Sequence, residues 1–531
     1  MPATADPDPH PDPSKLRRTP ADTGSMPSSA ETNGASCQQG DISHTREELG
    51  FEKLPEDIVH YIHSHLHVQD AARAACVSHV FLRSWRCYSN LMLGDRTLGL
   101  AETKYEEKET SLIDKVDKIL KNHYSNGVKV KTLSLDLYGY ENINASYLDM
   151  WLDISVKSGT TELNLMLHPI MEENYYSFPC SVLSDKAAAS SIQTLFLSSC
   201  IFQSTSTLGC LKRLKILDLS MVHITEEGLG HFLSKSSALE RLVVYGCSGI
   251  ICLRIPCTLQ QLKVLHITTC DMIQVIVIDA PNLCTLYFNG GPLVEISVRN
   301  SCQLKNVDMW SGYCSAPGIL AYARARLPSI TPNVESLNLR SCKENVDTPM
   351  LSSKLIHLKN LEIGVAGSSV KAFSPSYDVF SLVSFLDASP VLESFILWVE
   401  QDALRKNPVV GDDEKYTSRK PECRHNSLRQ VTIMGFCLAK SLVEVTIHIL
   451  ESAPSLERLM LDTTRGCHGN SRFHVVRGSG QCLSMSKKAL AKAHKAVEFA
   501  GRYIAGRVPK GVEFQVIEPC SRCHTADTGD T

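Results

Sequence analysis

One line recurs through this chain: Ile192-x-x-Leu195-x-Leu197-x-x-Cys200, then Leu239-x-x-Leu242-x-Val244-x-x-Cys247, Leu262-x-x-Leu265-x-Ile267-x-x-Cys270 and Val334-x-x-Leu337-x-Leu339-x-x-Cys342. Looser copies place the same central apolar pair at Leu133/Leu135, Leu163/Leu165, Leu217/Leu219, Leu286/Phe288, Val307/Met309, Leu361/Ile363, Phe395/Leu397, Val431/Ile433 and Leu459/Leu461, which makes thirteen turns. Two apolar residues one apart describe a short strand with alternate side chains turned inward. One such strand cannot bury its apolar side until the next turn stacks on it, so the core must be a column.

Between Leu133 and Leu459 lie 326 residues and twelve intervals, a mean period of about 27, within the leucine-rich-repeat range. The fold class that follows is an α/β solenoid of about 13 turns. A chain of 531 residues exceeds one compact domain, but a solenoid grows by adding turns and escapes that limit. The four cysteines fall where the chain leaves each strand, a cramped position suited to a small, weakly hydrogen-bonding side chain. Outward positions on the strands carry Tyr245, Tyr287, Trp310 and Trp398, with His266, Asp308 and Arg340 in the same register. Aromatic side chains on a polar face are favoured anchors in protein interfaces, so these seven are the expected substrate-binding residues. The competing reading is that a loop or neighbouring turn covers them, since register slips by one residue reverse a strand's faces.

A net charge of −3 provides no basic field for nucleic acid, and Lys15-Leu16-Arg17-Arg18 is too short to supply one. No apolar run reaches the roughly eighteen residues of a membrane span, and the first thirty residues lack the apolar centre of a signal peptide. An intracellular protein, cytoplasmic and/or nuclear, is expected, with its 20 cysteines reduced.

Residues 1–44, rich in Pro, Asp, Ser and Thr, read as a disordered tail. Order begins at Leu54-Pro55-Glu56-Asp57-Ile58-Val59, where proline and two acids mark a helix start. Leu54, Ile58, Ile62 and Leu66 then form one stripe, and two more short helices are expected over 69–78 and 79–86. A unit of roughly forty residues (51–90) buries too little to stand alone and keeps apolar residues for a partner. Its pattern, Leu54-Pro55-x-x-Ile58-x-x-x-Ile62-x-x-x-Leu66-x-x-x-Asp70-x-x-Arg73-x-x-x-Val77-Ser78, resembles an F-box. The resemblance implies docking on a Skp-type adaptor and through it on a cullin, with Leu54, Pro55, Ile58, Val59, Ile62 and Leu66 facing the adaptor or supporting the helices that do. This chain has Phe81 where that family usually has Trp, with Trp85 four residues later.

Residues 99–127 read as a helical linker and cap, helical from Ser111 through Leu112, Val116, Ile119 and Leu120. The solenoid spans 128–480, interrupted by a charged loop at 400–426. Within it, about 425–462 (Ser427-Leu428-Arg429-Gln430-Val431-Thr432-Ile433, then Leu442-Val443-Glu444 and Ala453-Pro454-Ser455-Leu456-Glu457) is similar to the C-terminal, FBD-like region of plant F-box/leucine-rich-repeat proteins, the large grass sets included. A C-terminal cap follows over 486–517, with Ala489, Ala493, Val497 and Gly501 on one helical side and Val512–Ile517 as a last strand; 518–531 is a tail. The resemblance implies a non-catalytic substrate-recognition subunit of a Skp/cullin/F-box ubiquitin ligase. The alternative is a leucine-rich scaffold or receptor acting outside ubiquitin transfer.

Three places invite chemistry. Cys520-Ser521-Arg522-Cys523-His524 spells a haem-c attachment motif, which needs an export route or organelle; with Cys467 or His468 the same residues suit zinc. Only three of four zinc ligands are local, so a reduced tail is expected. His60, His63 and His67 share a helical side, with His65 nearby, but lie beside the docking stripe and read as solvated or partner-contacting. Cys247, within Gly246-Cys247-Ser248-Gly249, stands in ladder register and reads as buried. No nucleophile elbow, zincin, phosphate-loop or kinase motif is present, so neither catalytic residues nor a cofactor is expected.

Overall fold

Stacking of the repeated strand yields one continuous sheet. The computed structural model describes residues 54–101, 105–141, 143–169, 175–184, 190–204, 208–290, 294–311, 318–342, 348, 351–366, 378–400, 423–464, 485 and 487–519. The expected tail at 1–44, most of the 400–426 loop and the cluster at 520–524 lie outside them, as do Cys467 and His468. Fifteen parallel strands run from Asn90–Gly94 to Glu513–Ile517. Each of the thirteen apolar pairs has its own strand, and the first members are register partners from Leu133 to Leu459. None of these paired side chains is more than 4% exposed. Burying one leucine contributes about 1.5–3 kcal/mol, and truncating it to alanine costs about 2–5 kcal/mol.

The two further strands lie at the ends. Leu91, on Asn90–Gly94, pairs with Leu133, so the sheet starts before the cap helix and not at 128. That turn is hidden in the sequence because the 21-residue helix α4 (Tyr105–Ser125) separates the two strands. At the other end Glu513–Ile517 pairs with Arg458–Asp462 and prolongs the sheet. The preceding helix, Lys487–Phe499, buries Ala493, Ala496 and Phe499, while Gly501 is exposed, so its inner face is rotated from the expected line.

Turn length decides what backs the sheet. Where it allows, a helix fills the return path, as at Ala145–Lys157 (α5), Ile319–Ile330 and Lys440–Ser452. From Leu242 through Leu265 and Leu286 to Val307 the turns shorten to 23, 21 and 21 residues. There the return carries a strand, and Cys252–Ile255, Val275–Asp279 and Glu295–Arg299 form a second parallel sheet.

The cysteine positions follow a tight bend. Ser199, Gly246 and Thr269, each just before a ladder cysteine, adopt left-handed backbone. Cys200, Cys247 and Cys270 are buried behind them, and the Cys247 thiol donates to the Leu219 carbonyl oxygen at 3.3 Å. Burial pushes the Cys200 and Cys247 thiols up to about 12 and that of Cys270 up to about 11. Iodoacetamide at pH 8 is therefore expected to label the exposed Cys76, Cys87, Cys210, Cys257 and Cys302 and to leave these three unlabelled in the folded chain. Thiolate scarcity alone slows Cys200 and Cys247 about 10³-fold and Cys270 about 10²-fold. Rapid native labelling of Cys247 by peptide mass spectrometry contradicts the ladder.

The first three helices, α1 (Glu56–Ser64), α2 (Val68–Val77) and α3 (His79–Trp85), join the column directly. Glu56 and Asp57 open α1 where the helix dipole favours negative charge. His63 is fully buried, its Nε2 2.9 Å from the Ala71 carbonyl oxygen and its ring against Phe81 and Tyr88. Trp85 stacks on Tyr88 and meets His123 of α4 edge-on, and the Tyr88 hydroxyl donates to Leu66 O at 2.8 Å. Asp95, which pairs with Lys108 and accepts from the Tyr140 hydroxyl, ties α4 to the first turns.

Candidate functional site

Two surfaces carry the residues that the sequence singled out. Along each sheet strand, the residues before, between and after the buried pair face the open side, which makes three rows across the sheet. One row runs His266, Tyr287, Asp308, Asn338, Glu362, Ile396 on successive strands. The next runs Tyr245, Thr268, Asn289, Trp310, Arg340, Gly364, Trp398. The seven expected substrate-binding residues therefore share one face. Tyr245, Tyr287 and Trp310 are 41%, 39% and 38% exposed, and His266, Asp308, Arg340 and Trp398 are half-buried.

Their spacing differs from row to row. Trp310 adjoins Arg340, whereas Tyr245 and Trp398 each stand three strands from Trp310, about 14 Å at 4.8 Å per strand. The His266 and Tyr287 rings lie 5.3 Å apart. Tyr287 and Asp308 line a groove of about 450 Å³; the other five are not part of its lining. Sequence reasoning missed the rest of its floor: Asn306, Ser336, Asn338, Asn360 and Glu362. They occupy the same outward register, but small polar residues there look like ordinary solvated surface.

Asp308 accepts from Asn338 Nδ2 at 3.1 Å. Burial raises its carboxyl above the ordinary range, and the Arg340 charge works against that rise. Burial, with the Arg241 charge adding to it, lowers His266 and favours the neutral ring. The groove thus presents carboxylates, amides and hydroxyls beside one aromatic ring, that of Tyr287. Such a lining suits a ligand rich in hydrogen-bond donors and positive charge.

The second surface is on the N-terminal helices. Pro55 is exposed and Ile58 is 42% exposed, Leu54 and Ile62 are half-buried, and Val59 is internal at 1%. Leu66 packs against the core. Two residues absent from the expected set are more exposed still: Tyr61, one turn on from Ile58, at 65% and Val77, on the last turn of α2, at 86%. The four-residue spacing that selected Ile58 and Ile62 does not reach them. Phe81 lies against His63 inside the unit, away from this patch. The histidines do not gather: His63 points inward, and His60 Nδ1 lies 2.9 Å from Ser84 Oγ.

Residues 119–521 match the family described as At1g61320/AtMIF1, LRR domain. A protein of Arabidopsis thaliana named as an FBD-associated F-box protein, At5g53635, is 26% identical over 435 residues, covering 77% of this chain and 94% of that one. Among solved structures, an internalin (inlF) of Listeria monocytogenes aligns with a TM-score of 0.32 at 11% identity, over 76% of this chain and 94% of that chain.

Proposed function

This chain belongs to the family of the At1g61320/AtMIF1 LRR domain, and from that premise we propose that it is the substrate-recognition subunit of a Skp/cullin/F-box ubiquitin ligase, acting in the cytoplasm and/or nucleus. The helices α1 to α3 are its F-box and dock on a Skp-type adaptor, which connects them to a cullin. The open face of the sheet takes the substrate protein. The subunit has no catalytic residues of its own and contributes proximity, holding a substrate lysine where ubiquitin transfer becomes a local event.

One observation carries this reading: Ile58, Tyr61 and Val77 stand exposed on a helical unit whose opposite side shares a core with the repeats. An apolar patch of that kind calls for a protein partner. The name of the Arabidopsis relative supports assigning the F-box role to it. On the other face, Asp308, Glu362 and the aromatic rows favour a substrate segment with basic and hydrogen-bond-donating side chains.

Changing Tyr287, Trp310 and Trp398 together to alanine separates the two roles. Interface aromatics of this kind commonly contribute 2 kcal/mol or more each, about 30-fold in affinity. Proximity labelling with and without proteasome inhibition is expected to lose the inhibitor-sensitive proteins found with the unaltered chain, while adaptor and cullin still co-purify. An unchanged protein set removes the open face from substrate binding. Absence of a cullin from the unaltered complex favours the scaffold reading.

A further inference from the structure

Three side chains distant in sequence converge between successive C-terminal turns. Asp387 lies in the short helix Val383–Ala388, His425 precedes strand Gln430–Met434, and His448 lies in helix Lys440–Ser452. His425 Nε2 is 3.5 Å from His448 Nε2 and 3.7 Å from Asp387 Oδ1, and one ligand atom from each residue lies within 4.8 Å of the others. Both rings are buried, at 6% and 5% exposure. Zinc bonds of about 2.0–2.1 Å in a tetrahedron hold ligand atoms about 3.3–3.4 Å apart. The two shorter separations are within a few tenths of an ångström of that edge.

Hydrogen bonding does not account for the position of the His448 ring. His448 Nδ1 is buried without a partner, and its Nε2 faces His425 at a separation too long for an effective hydrogen bond. The ring is held by packing, its centroid 5.6 Å from that of Phe380. Leaving buried polar atoms in this condition costs about 1–3 kcal/mol each. Burial, then the neighbouring His448, lowers His425 to about 4, and burial lowers His448 as well. The Arg324 guanidinium interacts electrostatically with Asp387 and donates hydrogen bonds to the carbonyl oxygens of Ser384, Ser353 and Leu351 and to the Ser353 hydroxyl.

We propose that Asp387, His425 and His448 bind a divalent transition metal, zinc by donor set, as a structural clip between these turns. Two nitrogens and a carboxylate oxygen match zinc's borderline preference, and the fold itself, rather than nearness in sequence as at the C-terminal cluster, gathers them in space, leaving a water molecule to complete the tetrahedron. The clip closes the 37-residue stretch 388–424 between Asp387 and His425, and closing a long loop is where a cross-link stabilises most.

The full chain, co-expressed with its adaptor and purified after chelator washing, is expected to retain about one zinc per molecule by elemental analysis. His425→Asn and His448→Asn should lose that zinc while keeping the circular dichroism of the parent. Cys520→Ser/Cys523→Ser should keep it, which separates this site from the C-terminal cysteines. Should the histidine variants misfold, cobalt substitution of the unaltered chain decides: visible d–d bands without thiolate charge transfer indicate the nitrogen–oxygen site. A metal-free parent, or zinc that follows the cysteines, overturns the proposal.

Discussion

Ile58→Asp is expected to weaken adaptor binding at least about 100-fold, measured by calorimetry or by co-purification of the full chain with a Skp-type adaptor. The carboxylate would be carried into an apolar contact with no partner, at several kcal/mol, and each 1.4 kcal/mol is tenfold. Folding should be untouched, because Ile58 is 42% exposed in the isolated chain. Val59→Asp, one residue along, provides the contrast: at 1% exposure it should unfold the helical unit and lose the adaptor for a different reason. Full adaptor affinity in folded Ile58→Asp protein would remove the exposed patch from docking, and with it the ligase reading of these helices.

Gly435→Ala is expected to be the most damaging single methyl group in the array. Gly435 has φ +77°, and a Cβ there would lie 1.9 Å from the Val399 carbonyl oxygen, so backbone on two adjacent turns must part. The left-handed conformation alone costs an L-residue about 1–2 kcal/mol. With the collision added, a loss of roughly 4 kcal/mol or more is expected, the range reserved for gross packing damage. Hydrogen exchange should rise over 394–399 and 430–462 while the first turns stay protected, since repeat arrays open locally. Gly127→Ala isolates the conformational part, because φ is +66° there and nothing lies within 4 Å. Equal effects for the two substitutions would mean that the close approach to Val399 does not govern this bend.

The repeat was legible because a buried position admits few residue types. Leu133 through Leu461 are nearly all branched aliphatics at fixed offsets, and that regularity locates strands, register and the open face together. Position 91 obeys the same rule but lies beyond α4, where the period no longer guides the eye. The backing layer was less visible: Ile276 and Ile278 alternate as on any buried strand, and only turn length tells that their strand belongs to a second sheet. The open face was half legible, since Trp310 and Tyr287 stand out among polar neighbours whereas Asn338 and Ser336 do not. Asp387, His425 and His448 share no motif, and only the stacking of successive turns brings them together.

The change of backing layer also changes what holds neighbouring turns in step. Helices pack about 8–10 Å apart, strands about 4.8 Å. The turns through Leu265 and Leu286 carry strands on both sides with matching pitch. Tyr245, His266, Tyr287 and Trp310 stand on this double-laddered portion, where backbone hydrogen bonds front and back fix the distance from one ring to the next.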